Sequence, residues 1–375
     1  MWVAAGGRCA ICNKLLLDEP YVEREINVSE QFGASGNQDT GPLRRKASGN
    51  LSQAAQADRL ILLCDNDARI VDTPSTRPEY TDGTLLAIKE RHEKRISLLT
   101  AIAEDRGTAV LRMFGSVRGS IPVMTGVEAT QTVLDGSRRY ACFPLSQNPD
   151  HVEIDLTHLP DPEKTGGEDS AYWGQRRIEI DRAMVRIREA EDYKRIRHVS
   201  VFAMARIPLL VYLGFVLDDK IPVDVYQKHR GEGEGWLWPE DGPAVAFEIV
   251  QRREGEPGGD VAFMLPLSGT FPPEDLPLGT EAYALFEIRP VDVTPNPNLF
   301  RSRATLDSFV RTYQDLLARL EKTHKSAKAI HLFPAVPITA AIGCGRHLMR
   351  DVHPALKIYD RVGNVFTPAL TMNER

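Results

Sequence analysis

The chain has 375 residues, with 46 Lys and Arg against 52 Asp and Glu, a formal net charge of −6 and 42% hydrophobic residues. That length suggests two domains, or three. The acidic balance argues against a globally basic nucleic-acid coat, and no apolar run approaches the ~18 residues that span a bilayer. The first eight residues are too short and polar for a signal peptide, so a cytoplasmic protein without membrane contact is expected. Five cysteines are few and odd in number. Three of them (Cys9, Cys12 and Cys64) fall early in the chain, which suits a cytosolic metal site better than a disulfide framework.

A first domain is expected over residues 1–106. Residues 31–56 are rich in Gly, Ser, Asn and Gln and read as loop. Residues 60–63 form a short apolar strand or helix entry. Thr81 and Asp82 can cap a helix whose apolar face is Leu85, Leu86, Ile88, Ile96, Leu98, Leu99 and Ile102, with Gly107 ending it. A second domain is expected over 107–375, divided into units of about 107–250 and 251–375. Its first part mixes short strands, a helix near 126–134 and a surface loop at 160–169. Residues 173–192 read as a charged amphipathic helix that buries Ile178, Ala183, Val185, Ile187 and Ala190.

The chain then repeats itself. An apolar run beginning at His198 and passing Phe202 and Gly214 leads to Pro222 and Tyr226. A second run beginning at Ile330 passes Phe333 and Gly345 and leads to Pro354 and Tyr359. The offset between landmarks holds to within about two residues. Each unit reads as buried strand, loop, small-residue helix, then a strand reaching Tyr, the β-α-β element of a parallel sheet. Two of them predict a pseudo-symmetric pair of Rossmann-like subdomains.

Two regions together resemble a known family. The CxxC pair, the Gly41-Pro42 loop, Leu60-Ile61-Leu62-Leu63-Cys64, the Ile70-Val71-Asp72 ending and the helix through Leu86 and His92 resemble an HNH endonuclease. The duplicated half resembles the SAVED domain, a fused pair of CARF-like units. The chain is therefore similar to HNH–SAVED effectors of bacterial cyclic-oligonucleotide anti-phage defence (CBASS). The resemblance implies an α/β protein with a small ββα-metal domain ahead of the SAVED pair. It also implies a cyclic di- or trinucleotide activator, ligand-driven homo-oligomers and cleavage of double-stranded DNA with Mg²⁺. A structural Zn²⁺ would be held by Cys9, Cys12, Cys64 and Asp67, three thiolates and a less usual carboxylate.

The catalytic residues that this chemistry needs are missing. An HNH site uses one histidine to activate water and another to hold the metal ion. Ala68 occupies the expected metal-histidine position, and no histidine lies before His92. Val28-Ser29-Glu30-Gln31 runs into Phe32 with no Ala-His-Ile segment, and Arg59 stands where an asparagine is expected. Natural degeneration, substitution at position 68 and loop residues missing from the sequence each account for this. As written, the chain is expected not to cut DNA. The alternative is a non-catalytic cyclic-nucleotide receptor whose front module only binds DNA or a partner. Arg44, Arg45 and Lys46 could contact phosphates or form a solvated basic loop.

In an open parallel sheet a ligand binds at the carboxyl ends of strands, near helix N-termini that favour phosphate. In the two units this region is 203–208 and 334–339, with Pro208 and Pro337 near the first helical turns. Arg206 is the leading phosphate ligand and Thr339 a hydroxyl donor. Arg346 and His347 follow the second glycine and could also reach ligand. Trp236 or Trp238 could stack on a base, although their spacing equally suits one face of a strand. His198 and His331 read as satisfied core or edge histidines, Lys357 as a surface lysine and Cys344 as a packing residue.

Overall fold

The computed structural model describes residues 3–16, 29–33, 60–117, 124–142, 151–158, 170–231, 234–239 and 242–374. Arg44, Arg45, Lys46, the Gly41-Pro42 loop, Arg59 and the expected 160–169 loop lie outside them. The chain divides into two compact units, Met1–Glu104 and Asp105–Arg375. No helix among the described residues is long and apolar enough to cross a membrane.

In the first unit β1 (Ser29–Gly33) pairs antiparallel with β2 (Leu60–Cys64). Ile61, Leu62 and Leu63 are all buried, as an unbroken apolar run requires. Helix α1 (Asp65–Asp72) starts directly after β2, with Cys64 as N-cap. Helix α2 (Asp82–Thr100) starts at Thr81, whose hydroxyl oxygen accepts the Thr84 N–H at 3.2 Å. It stops at Thr100 rather than running on to Gly107. Leu99 is 46% exposed and Gly107 opens the next strand, so the inward face is shorter than periodicity suggests. Ala5, Cys9, Leu16, Ala68, Val71 and Leu85 close a core around β2.

The second unit holds two sheets. In the first, β3 (Gly107–Phe114) pairs in parallel with β4 (Tyr140–Ala141), β5 (His151–Asp155) and β6 (Val199–Met204), and β6 with β7 (Val223–Tyr226). Helices α3 (Gly126–Ser137), α4 (Ser170–Asp192) and α5 (Ile207–Leu217) connect these strands. The inward stripe of α4 is Ile180, Ala183, Met184, Ile187 and Ala190. Ile178 and Val185, expected inside, are 50% and 49% exposed. Ile178 lies two residues before Ile180 and Val185 two before Ile187, roughly 200° around a 3.6-residue helix, and so on its far side.

The second sheet contains β8 (Phe247–Arg253), β9 (Val261–Pro266), β10 (Ala284–Pro290), β11 (Ala329–Ala335), β12 (Ala355–Val362) and β13 (Val365–Met372). Their order is β13-β12-β11-β9-β10-β8. The inner four are parallel and the two edges antiparallel. Because β8 pairs with β10, the expected division at 250/251 cuts through a strand, and the second half begins ahead of Phe247. Helices α6 (Arg303–Thr323) and α7 (Ile338–Arg346) complete it.

The repeat unit is therefore β6-α5-β7 in the first half and β11-α7-β12 in the second. Helix α5 is apolar nearly all round, which is stable only when it is covered on several sides. Helix α7 covers one of them so closely that the crossing leaves no room for a Cβ at two glycines. A Cβ at Gly214 would lie 2.0 Å from the Ile342 carbonyl oxygen, and one at Gly345 would lie 1.9 Å from that of Val211. Val211 and Ile342 carry the same offset as the two glycines. The two contacts are thus exchanged by a local pseudo-two-fold axis through the helix crossing.

Candidate functional site

Two clusters of chemistry-bearing residues stand out, one in each unit. In the first, the short turn after Cys9 and the β2–α1 junction bring Cys9, Cys12, Cys64 and Asp67 together. One ligand atom from each lies within 4.8 Å of all the others. The Cys12 and Cys64 sulfurs are 3.7 Å apart. Zn–S bonds of ~2.3 Å at tetrahedral angles would place sulfurs about 3.8 Å apart. Asp67 Oδ2 lies 3.1 Å from Cys9 Sγ and 3.2 Å from Cys64 Sγ. Burial pushes the Cys9 thiol up. Burial alone would raise the Asp67 carboxyl, but hydrogen bonds from the three thiols hold it below its ordinary value. A carboxylate gathering three thiols, two of them buried, is a donor set that fits a divalent, thiophilic cation, and Zn²⁺ would act there as a structural staple.

The remaining parts of an HNH site do not assemble among the described residues. Ala68 is 1% exposed and packs into the core on the inner face of α1, so this position presents no open face to a phosphate. His92 is the first histidine of the chain. It is buried, with Nε2 at 3.1 Å from the Ala5 carbonyl oxygen and Nδ1 at 3.1 Å from Arg95 Nη2. Both ring nitrogens therefore serve packing rather than water activation.

The second cluster lies at the N-termini of α5 and α7, beyond the carboxyl ends of β6 and β11. Pro208 falls in the first turn of α5 and Pro337 is the N-cap of α7. Neither helix has a side-chain cap from its own N-cap residue. Instead each half supplies a polar group to the other. The amide oxygen of Gln227, just past β7, accepts the Thr339 N–H at 3.3 Å and its hydroxyl at 3.1 Å. Asp360 of β12 accepts from Nε of Arg206, the N-cap of α5, at 2.8 Å, and also from Nη2. Gln227 follows Tyr226 and Asp360 follows Tyr359, so they are equivalent positions of the repeat. Sequence reasoning missed both, although the residue after each tyrosine landmark carried the signal. Arg206 is thus at the expected end of the helix but buried in an ion pair. Thr339 is buried too, with its hydroxyl already donated.

Other expected ligand contacts fall elsewhere. Trp236 is 4% exposed and meets Phe202 edge-on at 5.6 Å, so it is a core residue without a free face for a base. Trp238 stays partly exposed, edge-on to His229 at 5.5 Å. Burial, reinforced by Arg301 and Lys228, holds His229 down at about 4, and so neutral. Arg346 and His347 lie at the opposite end of α7 from Thr339, roughly 10 Å away at 1.5 Å per residue. There Arg346 donates to the Ile221 carbonyl at 3.1 Å, and His347 pairs with Gln314 at 3.0 Å. Both line a cavity of about 620 Å³ with Asp218, Glu321 and His353.

The histidines near the starts of β6 and β11 are structural. His198 hydrogen-bonds Thr108 at 2.8 Å and lies 3.5 Å from Asp224. Burial outweighs Asp224 and holds the ring at about 4, so this is a contact of a neutral imidazole. His331 bridges Tyr359 at 3.0 Å and Asp260 at 3.2 Å. Cys344 is fully buried and Lys357 exposed.

Residues 181–372 match the SAVED family, described as the SMODS-associated and fused to various effectors sensor domain. No curated protein matches the chain. Among solved structures, a Cap4 SAVED/CARF-domain containing receptor of Acinetobacter baumannii with the cyclic trinucleotide 3′3′3′-cAAA is similar. The TM-score is 0.48 and the identity 13%, over 79% of this chain and 64% of that one. The same receptor with 2′3′3′-cAAA gives 0.48 and 13%, over 80% and 65%. The Moraxella osloensis Cap4 receptor gives 0.42 and 15%, over 78% and 60%. The chain thus spans less than two thirds of these receptors' own length.

Proposed function

The chain belongs to the SAVED family, and from that premise we propose that it is a cyclic-oligonucleotide receptor of bacterial anti-phage (CBASS) defence. The observation that carries this reading is the pair of helix N-termini, α5 and α7, related by a local two-fold and opening beyond the carboxyl ends of two parallel strands. A helix N-terminus offers unpaired N–H groups and partial positive charge to an anion. Two of them, one from each half, match a small ring that carries more than one phosphodiester. Arg206 provides the formal charge, Thr339 and Gln227 the neutral polar contacts, and Trp238 a ring at the rim. Assembly into homo-oligomers would follow if the ligand binds one association state better than another.

The front unit we read as a zinc-stapled HNH-like module that has lost hydrolysis. The cysteine cluster supports the zinc staple, while the buried Ala68 and the His92 ring already held by Ala5 and Arg95 support loss of hydrolysis over an active endonuclease. What remains for such a module is to bind double-stranded DNA or a protein, and Mg²⁺ has no role in that.

A thermal-shift and calorimetric screen tests the receptor reading, using cyclic dinucleotides together with 3′3′3′-cAAA and 2′3′3′-cAAA. Specific binding of at least one ring at one site per chain is expected, with a rise in melting temperature that scales with its concentration. Failure of the whole panel would remove the reading. Plasmid DNA incubated with the ligand-bound protein and Mg²⁺ should stay intact, and rapid degradation would restore the endonuclease alternative.

A further inference from the structure

The two ends of the pseudo-symmetric cradle are not chemically equal. At the N-terminus of α7 the contact from the other half is a neutral amide, Gln227, which takes the N–H and hydroxyl of Thr339. At the N-terminus of α5 the equivalent contact is a carboxylate, Asp360, and the N-cap residue is a cation, Arg206. Capping alone does not need that charge, since Gln227 serves the equivalent place without it. A guanidinium at the positive end of a helix is itself unfavourable, because the helix dipole repels it. It becomes favourable when an anion is held between the cation and the helix end. Asp360 is the anion paired with that cation here, through Oδ2. Both side chains are withdrawn from water, at 5% and 8% exposure, where a charge is costly unless matched. The Trp173 ring, 5.9 Å from the guanidinium carbon, helps to fix the arginine.

We propose that Asp360 is an internal competitor for the ligand's phosphate, and that it sets the affinity of the receptor. In the free chain its carboxylate occupies the anion position at Arg206. On binding, a phosphodiester oxygen of the cyclic ligand takes that position and the carboxylate moves away. This rests on the receptor reading above and adds the residue that opposes it. Such a competitor raises the ligand concentration needed for occupancy, because the favourable Arg206–phosphate contact is offset by loss of the Arg206–Asp360 pair. It also makes the α5 end the affinity-determining end.

The test uses the full chain and isothermal calorimetry with the cyclic dinucleotides, 3′3′3′-cAAA and 2′3′3′-cAAA. Four proteins are compared: wild type, Asp360→Asn, Arg206→Ala and the double variant. Asp360→Asn gives the α5 end the neutral amide chemistry already present at Gln227. It is expected to bind about tenfold tighter or more, and the gain should vanish in the Arg206→Ala background. Binding by Asp360→Asn alone, with none by wild type, also supports the proposal. Equal or weaker binding by a folded Asp360→Asn overturns it while leaving the receptor reading intact. No binding by either protein overturns both. If Asp360→Asn does not fold, Asp360→Gln, which matches Gln227 in length, is measured instead. Failure of both to fold shows the carboxylate to be a structural requirement and overturns the proposal.

Discussion

Cys64 carries two roles in one atom. As N-cap of α1 its sulfur accepts the Asp67 N–H at 3.4 Å, and as a member of the four-residue cluster it faces the cation position. Serine can keep the first role but not the second, since zinc selects the thiolate. The zinc-staple reading predicts one ion per chain in the wild type, and Cys64→Ser is expected to hold well below that and to melt several degrees earlier. Metal analysis by mass spectrometry with a thermal melt checks this, and an unchanged zinc content would contradict it. This cluster was legible in the sequence because the CxxC pair and the Cys64 segment resemble parts of one known family, which implies that they meet. The ion pair of Arg206 was not, because its acceptor is 154 positions away in the chain. The buried histidines give a second prediction at this scale. His198 and His229 are held at about 4, well under the ordinary 6.5, chiefly by burial. The unfolded chain therefore binds more protons than the folded one between those values. Stability is full above about pH 6.5 and falls as the pH drops toward 4, by up to about 1.4 kcal/mol per histidine per pH unit. His92, His331, His347 and His353 shift in the same direction. Urea denaturation between pH 7 and pH 4.5 should show a monotonic loss, and a flat profile would refute it.

At the scale of elements, the crossing of α5 and α7 depends on two absent methyl groups. Gly214 and Gly345 each meet a carbonyl oxygen of the other helix at about 2 Å from where a Cβ would stand. Alanine at either position must push the helices apart or bend them. Gly214→Ala is expected to destabilise the protein by roughly 1–3 kcal/mol or more, as overpacking does, with Gly345→Ala similar by the local symmetry. Equilibrium denaturation measures it, and a neutral or stabilising outcome would mean the helices cross elsewhere. The glycines, the tyrosines and the strand–helix–strand order were legible because they recur at a nearly fixed offset. The inward face of α4 was legible only in part: Ala183, Ile187 and Ala190 lie inside as expected, Ile178 and Val185 do not. That helix carries apolar residues on opposite sides, Ile178 and Val185 on one and Ile180, Met184 and Ile187 on the other, and only packing against the sheet selects between them. Trp236 was left open between base stacking and a strand face for the converse reason, since a Gly-rich polar neighbourhood conceals that its ring fills a core pocket beside Phe202.

At the scale of the whole molecule, the sensor half is one arrangement used twice. Each half lends the other a polar side chain at a helix end, and the two helices share one tight crossing. Arg346 and His347 lie outside this arrangement, at the other pole of α7, where they line the cavity with Asp218 and Glu321. The receptor reading therefore makes a positional claim that hydrogen–deuterium exchange can check directly. With a bound cyclic trinucleotide at saturation, protection should rise at the first turns of α5 and α7 and just past β7, around Gln227. The segments around Asp218 and His347–His353 should exchange as in the free protein. Protection confined to those latter segments, with the two helix N-termini unchanged, would contradict the account.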